Sequence, residues 1–166
     1  MNAVDILKNN TAMCRKFAVD LITDMKDSAM TQPTKNGGNH PLWVLGHLAY
    51  SEGSMIQGMM LGKDNPLADW KDLFEGGSEP TTDASKYPSF DEIMKKSDEV
   101  HALTMQYLEG ITEADLEKPS AACPDEYKEW FGTVGKCLNI NALHPFMHYG
   151  QVADARRAAG RKPLMM

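Results

Sequence analysis

The sequence has little cysteine: Cys14, Cys123 and Cys137 are three thiols in 166 residues. An odd count without C-x-x-C spacing argues against a disulfide framework and predicts free thiols in a reducing cytoplasm. Long apolar runs are also missing. None approaches the ~20 residues a membrane-spanning helix needs, and Met1-Asn2-Ala3-Val4-Asp5 has neither the basic nor the apolar part of a signal peptide. Basic charge is in deficit, with 17 Lys+Arg against 23 Asp+Glu and a net charge of −6. A pI near 5.3 supplies no cationic footprint for duplex DNA. Internal repeats are absent, and so is β-alternation beyond about four residues. The expected partner is a small molecule, with no nucleic acid and no membrane.

What remains is ordinary globular composition, 42% hydrophobic and 24% charged, in a length that predicts one domain over residues 1–166. Ile6, Met13, Phe17, Leu21 and Met25 recur at three- to four-residue steps apart from a gap at Asn10, which predicts a helix from Ala3 to Ser28. Asn2 is its N-cap, with Asp5 three residues on. Turn chemistry from Gln32 to Asn39 ends it. Pro41 suits a first helical position, where its missing N–H goes unnoticed. The second helix, Pro41 to Leu61, is apolar around most of its circumference and belongs inside a bundle or against a second subunit. A homodimer is therefore expected.

A long connection from Gly62 to Ser89 follows, with Trp70 and Phe74 on one helical turn that pins it down. Ser89 and Glu92 form a capping box for a third helix that stops at Gly110. Residues 111–132 are mixed, and a fourth helix spans Thr133 to Ala159. The fold class is all-α, with four main helices.

Chemistry concentrates in the histidines. His144 and His148 are four residues apart, so both rings share one helix face, about 6 Å from each other. That spacing lets two ring nitrogens reach one metal ion. A third ligand must come from another element, and His47 in the second helix is the best placed. The plainer reading is a set of satisfied core histidines, because an H-x-x-x-H pair is not rare in an α-protein. His40, roughly 10 Å along the axis from His47, reads as a cap or pocket-rim residue. His101, among polar neighbours, reads as exposed.

Asn39-His40-Pro41-Leu42-Trp43-Val44-Leu45-Gly46-His47-Leu48-Ala49, followed by Glu52, resembles the second-helix signature of the DinB-like (YfiT-like metal-dependent hydrolase) superfamily. His144-Pro145-Phe146-Met147-His148-Tyr149-Gly150-Gln151, with Arg156-Arg157 and Gly160 beyond it, resembles the last-helix signature. Tyr87-Pro88-Ser89-Phe90-Asp91-Glu92 is similar to the usual approach to the third helix. The resemblance implies a four-helix bundle with a long crossover connection between helices 2 and 3. It implies metal ligands at His47, His144 and His148, with zinc or nickel as the ion. It also implies thiol-dependent transfer or isomerisation with a low-molecular-weight thiol, or hydrolysis, and frequent dimers. Two departures stand out. Tyr149 occupies a position where Arg is common, and Pro145 lies inside the fourth helix, where it either kinks His144 into the cavity or distorts the site. Gly150 replaces the Glu of the sulfoxide-synthase branch.

Three neutral imidazoles leave coordination positions open, as catalytic sites do. Gln151, three residues after His148, and Tyr50, three after His47, are the candidates to orient a ligand or line the pocket. Glu52 lies about 140° around the helix from His47 and points elsewhere. Cys137 reads as a small buried hydrophobe and the methionines as core filler. Arg156, Arg157 and Arg161 read as a solvated helix end, or as a site for an acidic substrate. The functional expectation is a divalent-metal-dependent enzyme on a small molecule, of thiol-transferase, isomerase or hydrolase type. The alternative is a non-catalytic ligand- or partner-binding bundle with a vestigial metal site.

Overall fold

A computed structural model describes residues 1–33 and 37–164. Thr34, Lys35 and Asn36, part of the expected turn, lie outside the described residues. The described chain is all-α. Its long helices are α1 (Ala3–Thr23), α2 (Pro41–Glu52), α4 (Phe90–Glu109) and α6 (Val134–Ala158), with one-turn helices α3 (Lys71–Phe74) and α5 (Lys128–Phe131) between them. Packing is widest between α1 and α6 and between α2 and α4, and α2 also meets α6. Two core clusters result, one centred on Leu45, Phe74 and Ile93 and the other on Ile56, Leu108 and Leu138.

The expected caps at Asn2 and Ser89 form, although Ser89 and Glu92 make only the first of a capping box's two bonds, and Thr133 adds a cap to the last helix. Asn2 Oδ1 accepts from Asp5 N at 2.8 Å, and Asn2 N donates to Asp5 Oδ2 at 3.1 Å. Ser89 Oγ accepts from Glu92 N at 3.2 Å, and Thr133 Oγ1 accepts from Lys136 N at 3.3 Å. The expected turn at Trp70 and Phe74 is present as a 3₁₀ turn leading into α3, with ring centroids 5.4 Å apart.

The first helix ends sooner than expected. Beyond Thr23 the bonds tighten to i→i−3, as in Met25 N to Ile22 O and Lys26 N to Thr23 O, so residues 24–28 are turns. Asp24 there receives Arg156 through Nε at 3.0 Å and Nη2 at 2.7 Å. Arg156 is thus buried, and Arg161 also pairs with Asp24 and with Asp27, so these two arginines lock α6 to the end of α1 instead of facing solvent. Arg156 holds the Asp24 carboxyl below its ordinary range.

The second helix also changes character at Gly53 and continues as a π-helix to Met60. Tertiary donors claim its carbonyls: Cys137 Sγ donates to Met55 O at 3.1 Å, and the amides of Ala121 and Ala122 donate to Met60 O and Met59 O. Asn65 Nδ2 takes Tyr50 O and Ser54 Oγ, and a Cβ on Gly53 would stand 2.3 Å from Asn65 Oδ1. Met55 and Met60 are buried within the chain. The apolar circumference of α2 is thus covered by the chain's own elements.

Cys14 and Cys137 are buried, whereas Cys123 is partly exposed. Burial pushes the Cys137 thiol up to about 12. Since thiolate is the reactive form, iodoacetamide is expected to modify Cys123 alone in the native protein and all three thiols in denaturant. Mass spectrometry of the labelled protein checks this; fast labelling of Cys137 in the native protein would contradict its burial.

Candidate metal centre

His47 stands mid-way along α2, and its neighbours dictate its orientation. Trp43, one turn earlier, stacks on the imidazole with centroids 4.5 Å apart and planes 9° from parallel. The indole is held in turn, because Trp43 Nε1 donates to Leu73 O at 2.9 Å and lies 3.1 Å from Ser78 Oγ. His47 Nδ1 lies 2.7 Å from Phe74 O. A carbonyl only accepts, so Nδ1 carries the proton and Nε2 presents its lone pair. Gly46 permits this approach: a Cβ there would stand 2.2 Å from the Phe74 ring.

The other two rings come from α6, which runs as a helix across Pro145. Neither a break nor a loss of the His144–His148 pairing results from the proline. His148 Nδ1 lies 2.8 Å from Gln151 Oε1, which also accepts from Asn39 Nδ2 at 3.4 Å. Both contacts fit an amide oxygen, so His148 likewise has its proton on Nδ1 and its lone pair on Nε2. His144 Nε2 lies 3.2 Å from His148 Nε2. Since His148 Nε2 can only accept, His144 donates from Nε2 in the metal-free protein.

The three rings form a near-equilateral triangle, with centroid separations of 5.0, 4.8 and 4.9 Å. One ligand atom from each lies within 4.8 Å of the others. Two nitrogens about 2.05 Å from one ion, at angles between octahedral and tetrahedral, are about 3–3.4 Å apart, so the 3.2 Å pair has a chelate's separation. Charge is disfavoured on two of the rings. Burial, ahead of the repulsion between them, lowers His144 to about 3, and burial lowers His47 to about 4. His47 and His144 therefore stay neutral, the form that metal ligation requires.

The DinB superfamily profile matches residues 11–152. The chain belongs to the DinB superfamily. No curated protein matches it significantly. In this DinB chain the match takes in His47, His144 and His148 together with Trp43 and Gly46.

The remaining sequence candidates separate clearly. Gln151 touches His148, whereas Tyr50 is buried in the larger core cluster, where no hydrogen bond or ring contact joins it to the three imidazoles among the described residues. His40 is the N-cap of α2. Its Nδ1 accepts from Trp43 N at 3.0 Å, its Nε2 donates to Thr81 O at 3.0 Å, and it is 1% exposed, so it is a cap, set at the base of a cleft with Asn39 and Thr82. His101 is not exposed as expected. Its Nδ1 lies 3.1 Å from Glu52 Oε1, and both side chains are largely buried. Glu52 thus turns to α4, away from His47. Sequence reasoning missed the Phe74 carbonyl and Asn39. Gly46 beside His47 was the available signal for the first, since a glycine inside a buried helix marks close approach.

Proposed function

We propose that the chain binds one divalent ion, zinc or nickel, through His47, His144 and His148. The protein then acts on a small molecule as a metal-dependent thiol transferase, isomerase or hydrolase in a reducing cytoplasm, with a low-molecular-weight thiol as co-substrate in the transfer reactions. The observation carrying this reading is that two of the three rings are already held by an acceptor on Nδ1, Phe74 O and Gln151 Oε1, while one ligand atom of each ring lies within 4.8 Å of the others. Outer hydrogen bonds of this kind orient metal-binding histidines. A bound ion would lower the pKa of water or hold a thiolate. Trp43 and the segment from Leu73 to Ser78 shield the His47 side of the centre from solvent.

Metal content by mass spectrometry on untagged protein tests the reading. About one ion per chain is expected, lost in His144→Ala and in His148→Ala while circular dichroism stays helical. Zinc at about a hundred times its Kd should stabilise the wild type by ~2.7 kcal/mol, since only the native state assembles the site. A wild type that is metal-free as purified and shows no thermal shift with zinc or nickel would instead support the non-catalytic bundle.

A further inference from the structure

His47 and His148 each have a protein acceptor on the nitrogen that faces away from the centre; His144 does not. Its Nε2 is turned to His148, and its Nδ1 has no hydrogen bond among the described residues. The His144 ring lines a small chamber inside the bundle, walled by α1, α2, α4 and α6. That chamber measures about 20 Å³, room for one water molecule and little more.

Most of its lining is apolar, from Val19, Leu45 and Leu48, yet several polar side chains reach it. Arg15, Glu52, Ser97 and Asn141 share it with His144 and Pro145. Arg15 Nη2 is taken by Ser97 Oγ at 3.1 Å and Asp98 at 2.6 Å, but its Nε is buried without a partner. Glu52 uses Oε1 on His101. Pro145 has no N–H, so the Asn141 carbonyl one turn earlier lacks its helical donor. A buried guanidinium N–H without an acceptor carries a desolvation cost that one water here would remove.

We propose that the chamber is a one-water site that completes the support of the third histidine. This rests on the metal reading above. The water accepts from Arg15 Nε–H and, once an ion takes His144 Nε2, from His144 Nδ1–H. It donates to the second oxygen of Glu52 and to Asn141 or Ser97. Metal binding obliges His144 to move its proton from Nε2 to Nδ1, and the chamber supplies the acceptor that receives it there. Arg15 and Glu52 are therefore positioning residues: they fix the tautomer of a ligand through the water and touch no substrate. Pro145, which breaks the local hydrogen-bonding rule, helps to open this space.

Two measurements test the proposal. In a crystal structure resolving ordered solvent, a water is expected within hydrogen-bond reach of both Arg15 Nε and His144 Nδ1. An empty chamber would overturn it. In chelator competition, Glu52→Gln and Arg15→Met are expected to bind zinc about ten- to a hundredfold more weakly than wild type, with unchanged helical content. Asp98→Asn, which removes only the solvent-side ion pair of Arg15, should match wild type and shows whether weakening follows from loosening α1 against α4. Wild-type affinity in both chamber variants overturns this inference alone. A wild type that takes up neither zinc nor nickel overturns the metal reading on which it rests.

Discussion

Gly46→Ala is expected to lower the melting temperature by about 6–12 °C and to weaken zinc binding at least tenfold. The added Cβ would stand 2.2 Å from one Phe74 ring carbon and 2.3 Å from the next. Phe74 is fully buried against Tyr87 and Trp70, so the ring cannot swing into solvent. Overpacking a tight core costs ~3 kcal/mol, and each kcal/mol moves the midpoint by about 2–4 °C at this chain length. The binding loss has a separate cause. The Phe74 carbonyl that holds His47 Nδ1 belongs to the residue being displaced, so His47 loses its acceptor. Gly150→Ala is the control. No atom lies within 4 Å of a Cβ there, and alanine in a helix should leave stability equal or raise it by up to ~1 kcal/mol. Thermal melts and zinc competition on both variants check the pair. Wild-type behaviour of Gly46→Ala would mean that the close contact with Phe74 is absent in solution.

Acidification of the metal-free protein should produce a loss of similar size. The native-state values of His47 and His144 lie at about 4 and about 3, against 6.5 for an unperturbed ring, with burial as the main cause. His40 is lowered in the same direction, again by burial first. Below pH 6.5 the unfolded chain takes up protons that the native protein refuses, so stability falls as pH falls. The loss continues until the native rings themselves protonate near pH 4 and 3. Each ring contributes about 1.4 kcal/mol per pH unit inside that window. From pH 7 to 5, His47 and His144 together cost about 4 kcal/mol, a large share of an ordinary folding free energy. Urea midpoints at pH 7, 6 and 5 measure it, and His144→Gln should flatten the profile. A flat wild-type profile would place these rings in water. Loss of the Asp24–Arg156 pair lies in a lower window, because the Asp24 carboxyl titrates below its ordinary value.

The helices were legible because their signals are local. Asn2 with Asp5, Pro41 at a helix start and Ser89 before Glu92 are each read over a few residues: the Asn2 capping box formed in full, Ser89 caps through its first bond, and the second helix starts at Pro41. The pairing of His144 with His148 was legible for the same reason, since a spacing of four is a fixed position on a helix face. Failures arose where a distant group decided the outcome. Nothing near Gly53 announces a π-helix; the Cys137 thiol, Asn65 and the amides of Ala121 and Ala122 settle it by claiming backbone and side-chain acceptors. His101 has polar neighbours in sequence, yet Glu52 from another helix draws it inward. Arg156 looked like a solvated helix end until α1 supplied Asp24.

By itself, then, the sequence determined helix positions, caps and the residue types available for a metal, because periodicity, capping and i,i+4 spacing act within a turn or two of chain. Only the tertiary structure decided that His47 meets the α6 pair, which nitrogen of each ring carries its proton, and that a small chamber reached by Arg15 and Glu52 adjoins His144. Those outcomes depend on carbonyls, carboxylates and guanidinium groups brought together from remote parts of the chain, and no local pattern encodes such distances.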